Sequence, residues 1–275
     1  MSGAMFSPGF LRRIAKVSLG VYLALLATFY FGQRYVLYQP LPIEVSPAVH
    51  DLEDFKVDRL AVTGGEQVIV WHTPPTTKAH TILYLHGNGG TLATRAHRFA
   101  FLQNQGYGVA ALSYRGYGGS SGSPSEDANV ADAVTLYDWL RVRGVASDDI
   151  VVFGESLGTG VAVQLATQRT IAALLLDSPY SSIEEMAAEK FPWLPVRGMI
   201  WDRYDSMAHI GNVRAPLLVL QGDQDRLIPP RYGRKLYVAA NGPKQLIVRA
   251  GEAHTPPIGP VWTEIEGFLA RSQQR

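Results

Sequence analysis

The chain contains no cysteine. That absence excludes a thiolate nucleophile, a cysteine-bearing zinc site and any disulfide framework. It leaves the compartment open, because a cysteine-free fold tolerates oxidising and reducing surroundings alike. Charge is sparse as well. Charged residues make up 18% of the sequence and the formal net charge is +1, so no field exists that would recruit nucleic acid. The seven histidines include no H-x-x-x-H pair, so no metal motif is legible and no cofactor is expected. Internal repeats and low-complexity tracts are also missing. What the sequence does have is apolar content, 47% of 275 residues. That is enough for one large α/β domain, or for two small ones with separate cores.

One apolar run stands apart. The stretch "VSLGVYLALLATFYFG", Val17 to Gly32, carries no charge; Arg12, Arg13 and Lys16 precede it and Arg34 closes it. As a helix it rises about 24 Å, short of the roughly 30 Å hydrocarbon core of a bilayer. Lys16 and Arg34 can snorkel, and Tyr30 and Tyr35 suit the interface. The expectation is a single-pass membrane anchor in residues 1–35, lying outside the fold. A cleaved signal peptide and a buried core helix are the alternatives, the former lacking a clear small-x-small cleavage site. The basic residues before the run place the short tail in the cytoplasm. The rest of the chain is then on the exported, periplasmic or extracytoplasmic side.

After a proline-rich linker, "YQPLPIEVSP", the pattern alternates. Strands are expected at Phe55–Val62, Gln67–His72, Thr81–Leu85, Gly108–Ser113, Ile150–Phe153, Leu174–Asp177, Leu217–Gln221 and Gln245–Arg249. The later ones are short continuous apolar runs, as expected of parallel strands buried on both faces. Helices are expected at Leu92–Gln105, Ser125–Arg143, Thr159–Gln168, Pro230–Ala240 and Pro260–Arg271. The alternation argues for an α/β fold over residues 36–275: a mostly parallel eight-stranded sheet with helices on both faces. "TGG" between the first two strands suits a hairpin. The segment at about 180–213, with "FPWLPVRGMIWDRYDSM", breaks the rhythm and reads as a cap of short helices.

The stretch "VVFGESLGTGVAV" places Ser156 at the end of an apolar run, with Gly154 and Gly158 two residues to either side. In open α/β sheets, sites form beyond the carboxyl ends of the strands. Glycines in that spacing let strand and helix approach while the serine takes a tight turn that lifts its hydroxyl above the sheet. The turn also aims the Leu157 amide and the helix N-terminus at the same point. A second G-x-S-x-G surrounds Ser120, but "YRGYGGSSGSPSED" is too rich in glycine and serine to enter a helix at once. Ser120 is therefore read as a loop residue.

A serine hydroxyl is a poor nucleophile until a base takes its proton, and a carboxylate must hold that base in the right tautomer. Segments after two later strands supply both: "GDQDRLIPP" and "AGEAHTPP". His254 is expected as base and Asp225 as acid. Asp223 could merely shape the turn, while Asp177, at the end of an earlier strand, is a rival acid. The loop His86-Gly87-Asn88-Gly89-Gly90 follows a central strand, and its glycines let backbone amides face a ligand. The amides of Asn88 and Leu157 are the expected oxyanion donors, and His86 is expected to be structural.

With these residues in hand, the sequence resembles the α/β-hydrolase superfamily, and within it the membrane-anchored Bem46-like and ABHD17-like branch. The matching pieces are "HGNGG", "YRGYGGSSGSPSE", "GESLGTGVA", "LDSPYSSI", "EKFPWLP", "GDQDRLIP" and "GEAH", in order from about Tyr84 to His254. The resemblance implies Ser156 as nucleophile, Asp225 as acid and His254 as base, with Asn88 and Leu157 as amide donors. It favours Asp225 over Asp177. The chain departs from the ABHD17-like pattern in having no N-terminal cysteine cluster, which counts against a palmitoyl-protein target. The expected function is hydrolysis of carboxylic esters or thioesters of a small or lipid-like acyl substrate, through an acyl-enzyme. Cap residues Phe191, Trp193, Leu194, Met199 and Trp201 either line an acyl pocket or pack the cap onto the body. The competing functions are a membrane-tethered, non-catalytic binding module on the same fold and a serine peptidase.

Overall fold

In the computed structural model, which describes residues 7–273, the chain opens with a long helix, α1 (Pro8–Leu37), capped by the Ser7 hydroxyl. Two short strands follow from the linker and from the glycine-rich loop: β1 (Gln39–Pro40) and β5 (Gly89–Gly90) pair in parallel. The main sheet contains β2 (Lys56–Ala61), β3 (Gln67–Thr73), β4 (Thr81–Leu85), β6 (Gly108–Leu112), β7 (Ile150–Glu155), β8 (Ala173–Asp177), β9 (Leu217–Gly222) and β10 (Lys244–Arg249). Its order is β10-β9-β8-β7-β4-β6-β3-β2. Six of the strands run parallel, and the β2–β3 hairpin joins antiparallel at β6. All eight expected strands are present, with ends shifted by a residue or two. The "TGG" turn holds Gly64 and Gly65 at φ 79° and 76°, a left-handed backbone that glycine adopts without steric cost.

The sheet is buried on both faces because side chains alternate along each strand. In β4, Leu83 and Leu85 join one core and Ile82 and Tyr84 the other. The first core is closed by helices α3 (Glu126–Val142), α4 (Leu157–Gln168) and α7 (Pro230–Ala239). The second is closed by α2 (Ala96–Asn104) and α8 (Trp262–Gln273). As expected, α3 begins after Ser125, whose hydroxyl accepts from the Ala128 amide. Between β8 and β9 the chain forms α5 (Ile183–Lys190) and α6 (Ser206–His209) with turns between them, so the irregular segment does hold short helices.

The end of α1 differs from the expectation of an anchor standing clear of the fold. Residues 7–25 are exposed on every side, but Leu26, Phe29, Gln33 and Leu37 recur three or four apart and lose exposure against the domain. Gln33 donates to the Met199 carbonyl at 3.1 Å and accepts from the Trp201 amide at 2.8 Å. Arg34 makes a two-pronged ion pair with Asp202 at 2.7 and 3.0 Å, and Asp202 also accepts from the Glu126 amide that opens α3. Just beyond, the hydroxyl of Tyr38 meets that of buried Tyr204 at 2.9 Å. The apolar run marks where a helix exists. Gln33 and Arg34 at its polar end are what dock it, and their partners lie in a cap that is distant in sequence.

Candidate active site

Strand order alone brings two loops together. From β4 the chain moves to β6 on one side, and from β7 to β8 on the other, so β4 and β7 flank a topological switch point. Leu85 pairs with Gly154, which sets the loop after β4 beside the turn after β7. Ser156 occupies that turn with φ 51° and ψ −116°. A non-glycine residue rarely adopts such a backbone, and it persists here because the surroundings over-determine it. The Ser156 amide donates to the Asp177 carbonyl at 2.9 Å, and its carbonyl accepts from the Thr159 amide at 2.9 Å and the Thr159 hydroxyl at 2.6 Å. The two glycines are steric necessities. A Cβ on Gly158 would lie 2.1 Å from the Leu85 carbonyl oxygen, and one on Gly154 would lie 2.7 Å from the Gly158 oxygen. Gly158→Ala is therefore expected to push α4 off β4 and to yield little folded protein. Soluble expression and the thermal melt of the variant check this.

The three expected polar side chains meet. His254 Nδ1 lies 2.8 Å from Asp225 Oδ2, and His254 Nε2 lies 2.9 Å from Ser156 Oγ. A carboxylate can only accept, so Nδ1 carries the proton and Nε2 is left to accept from the serine hydroxyl. Asp225 Oδ1 accepts from the amides of Leu227 at 2.9 Å and Ile228 at 2.8 Å. Burial alone would raise the Asp225 carboxyl, but hydrogen bonds from His254 and from those amides outweigh it and hold the group below the ordinary carboxylate range.

The rejected candidates have other partners. Asp223 accepts from the Gly251 amide at 2.8 Å and shapes the turn. Asp177 is fully buried between Arg98, at 2.9 Å, and Arg249. The Ser120 hydroxyl bridges the Ser113 carbonyl and the Ile69 amide, both at 2.8 Å. His86 is buried, with Nδ1 donating to the Gly87 carbonyl at 2.6 Å and Nε2 facing the Tyr114 amide. Burial pushes its imidazole down to about 3, aided by nearby Arg95, so it is neutral and structural.

The glycine-rich loop beside Ser156 is held from both sides. The Asn88 side-chain amide donates to the Leu37 carbonyl at 3.1 Å, while the Asn88 carbonyl accepts from the Tyr117 hydroxyl at 2.7 Å and the Gln39 amide at 3.2 Å. Leu157 opens α4, so its amide belongs to the unpaired first turn of that helix.

Two polar clusters beneath the site were not anticipated. Arg95 pairs with Glu155 at 2.9 Å and donates to the Gly89 carbonyl, clamping the glycine-rich loop to the residue before Ser156. The Tyr84 hydroxyl donates to the same carboxylate. Arg98, held by Asp177, donates to the carbonyls of Thr255 at 2.7 Å and Pro256 at 2.9 Å, immediately after His254. Arg95 and Arg98, three apart in "TRAHRFAFL", were the available signal: arginines in a segment otherwise bound for the core need buried partners.

Burial would raise the Glu155 carboxyl, but Arg95 and Arg98 pull it down to about 2. Its folded value lies below the unfolded one near 4.5. The associated stability, about 3 kcal/mol, is therefore fully present above pH 4.5 and drains away as pH falls toward 2. Glu155→Gln removes that dependence and strands Arg95, at a cost of about 3–5 kcal/mol near neutrality. Denaturant melts of the wild type should lose stability between about pH 4.5 and about pH 2 more steeply than those of Glu155→Gln.

A strand–turn–helix elbow, a late Asp and a last His on a parallel sheet of this order define an α/β hydrolase. The sequence profile of a family described as "Serine aminopeptidase, S33" (Hydrolase_4) matches residues 76–206, which include Ser156 but not Asp225 or His254. Uncharacterized proteins of Mycobacterium tuberculosis, strains CDC 1551 and H37Rv, are 38% identical over 221 residues, 79% of this chain and 76% of theirs. The chain belongs to this Hydrolase_4 family of the α/β-hydrolase superfamily. The lysophosphatidylserine lipase ABHD12 of Danio rerio is 34% identical over 199 residues, covering 64% of this chain and 51% of that protein. The chain thus spans about half the length of its ABHD12 relatives. These relatives do not single out the Bem46-like or ABHD17-like branch. Among solved structures, an esterase of Pyrococcus furiosus matches at a TM-score of 0.70 with 20% identity, covering 86% of this chain and 98% of that one. An α/β hydrolase of Vibrio vulnificus matches at 0.67 with 18% identity, covering 90% and 92%.

Proposed function

We propose that the chain is a serine hydrolase of carboxylic esters or thioesters, with Ser156 as nucleophile, His254 as base and Asp225 as its orienting acid. The observation that carries this reading is the continuous hydrogen-bonded relay from Asp225 through His254 to the Ser156 hydroxyl. Ser156 Oγ attacks the carbonyl carbon as its proton passes to His254 Nε2, and the carbonyl electrons move onto oxygen. The Asn88 and Leu157 amides receive that oxyanion. The tetrahedral species collapses, the bond to the leaving alkoxide or thiolate breaks, and His254 protonates the departing group. Water then gives a proton to His254 and attacks the acyl carbon. The serine ester bond breaks, the acid leaves and the proton returns to Ser156.

The ester reading is favoured over a peptidase, despite the family's description, by the cavity next to the site. A free carboxylate at the site would favour a substrate carrying a charged amine. The cavity's two acids, Glu189 and Asp202, are engaged by Arg231 at 2.5 Å and Arg34 at 2.7 Å. The ABHD12 relatives support a lipid ester as the substrate class. We also read α1 as a membrane anchor. Its apolar stretch is unburied, and the helix is long and apolar enough to span. Arg12, Arg13 and Lys16 orient the domain to the exported side.

A fluorophosphonate probe tests the reading. Labelling of full-length protein that vanishes in Ser156→Ala is the expected result. A folded wild type that takes no label would favour the non-catalytic binding module instead.

A further inference from the structure

We propose that the membrane helix is itself a wall of the substrate site, so that an acyl chain enters from the bilayer between α1 and α5. This rests on the reading of Ser156 as nucleophile and of α1 as a membrane helix. A cavity of about 500 Å³ lies between the two helices, within the roughly 300–1,000 Å³ of ordinary ligand sites. From α1 it takes Phe29 and Leu37, and from α5 the stripe Ile183, Met186 and Ala187 at helical spacing. Its inner end reaches Asn88, of the glycine-rich loop beside Ser156, and Leu227, whose amide holds Asp225. A cavity whose surface is mostly apolar, with Asn88, one of the two proposed oxyanion donors, in its lining, fits the chain of an ester whose carbonyl sits at Ser156.

The mouth is placed by the cap. The uncharged run of α1 ends at Gly32, and the cap edge lies alongside that run rather than beyond it. The Tyr22 hydroxyl donates to the Trp193 carbonyl at 3.3 Å. The rings of Phe29 and Phe191 sit 6.1 Å apart edge to face, and those of Tyr30 and Trp201 5.1 Å apart. Whatever medium surrounds Tyr22 to Tyr30 therefore also meets this edge. Trp193 is 56% exposed and Trp201 42% exposed, large rings that the medium around α1, rather than water, would cover. Of the five cap residues read as either lining a pocket or packing the cap, Phe191 lines this cavity, with Ile200. Leu194 is buried, and Trp193 and Trp201 face outward.

Two helices meeting through lipid alone need no specific polar joint. Here the Gln33 amide is satisfied twice by cap backbone and Arg34 closes on Asp202, so the wall is fixed in one register. A flexible tether would show neither.

The test uses full-length protein in phosphatidylcholine nanodiscs. The kcat/KM ratio of p-nitrophenyl laurate to acetate is expected to fall at least tenfold when Ala187→Trp fills the cavity from the cap side. Leu37→Trp should do the same from the α1 side, which guards against one variant failing to fold. Brominated phosphatidylcholine is expected to quench tryptophan fluorescence, and the quenching should drop in the Trp193→Phe Trp201→Phe double variant. An unchanged laurate-to-acetate ratio in both filled variants, with Ser156 still labelled by fluorophosphonate, overturns this inference alone. Equal quenching in wild type and double variant overturns the bilayer mouth. Loss of labelling in folded wild type would instead overturn the underlying reading of the site.

Discussion

Ser156→Ala is expected to lower kcat for ester hydrolysis roughly a million-fold while leaving KM within a few-fold. On the proposed mechanism the loss is large because Ser156 Oγ would form the covalent intermediate, and water in its place would have neither its position nor its base. His254→Ala should cost about as much. The double variant should cost little more than either alone, because nucleophile and base act as one unit. What remains would come from the amides of Asn88 and Leu157 and from binding. Single-turnover kinetics with p-nitrophenyl esters measure all three. Additive losses in the double variant would contradict the relay seen at 2.9 Å between Ser156 and His254.

The second large effect separates two buried aspartates. Asp225→Asn is expected to lower kcat roughly ten-thousand-fold with little loss of stability. An amide facing Nδ1 can donate, so it holds the imidazole in the tautomer that cannot accept the serine proton. Asp177→Asn should do the reverse. It leaves Arg98 and Arg249 buried with a neutral partner, so stability falls by several kcal/mol. Activity falls less, through slackening of the Thr255–Pro256 turn that Arg98 grips beside His254. Denaturant melts and kcat, measured on both variants, give the two-way comparison. A dead Asp177→Asn beside an active Asp225→Asn would reverse the assignment of the acid.

Much of this was legible in one dimension because it depends on local physics. A buried parallel strand must be apolar on both faces, so Thr81–Leu85, Ile150–Phe153 and Leu217–Gln221 announce themselves as short continuous runs. A serine that must turn sharply between strand and helix needs Gly154 and Gly158, because any Cβ there meets backbone. Loops that follow parallel strands all emerge at one rim of the sheet. Ser156, Asp225 and His254 could therefore be grouped before their distances were known.

Tertiary structure alone decided the rest. Which strands are neighbours sets Asn88 beside Ser156, and nothing in "HGNGG" states that β4 lies against β7. Asp177 and Asp225 both end or follow strands, and only the arginines converging on the first assign it to a structural pair. The uncharged run of α1 could be read as a helix, but not as one docked on the cap. Hydropathy records how a segment partitions between phases, whereas docking depends on where Met199, Trp201 and Asp202 return in space to meet Gln33 and Arg34. Contacts between residues far apart in the chain leave no periodic trace in it, and the cavity and the arginine clamps are made of such contacts.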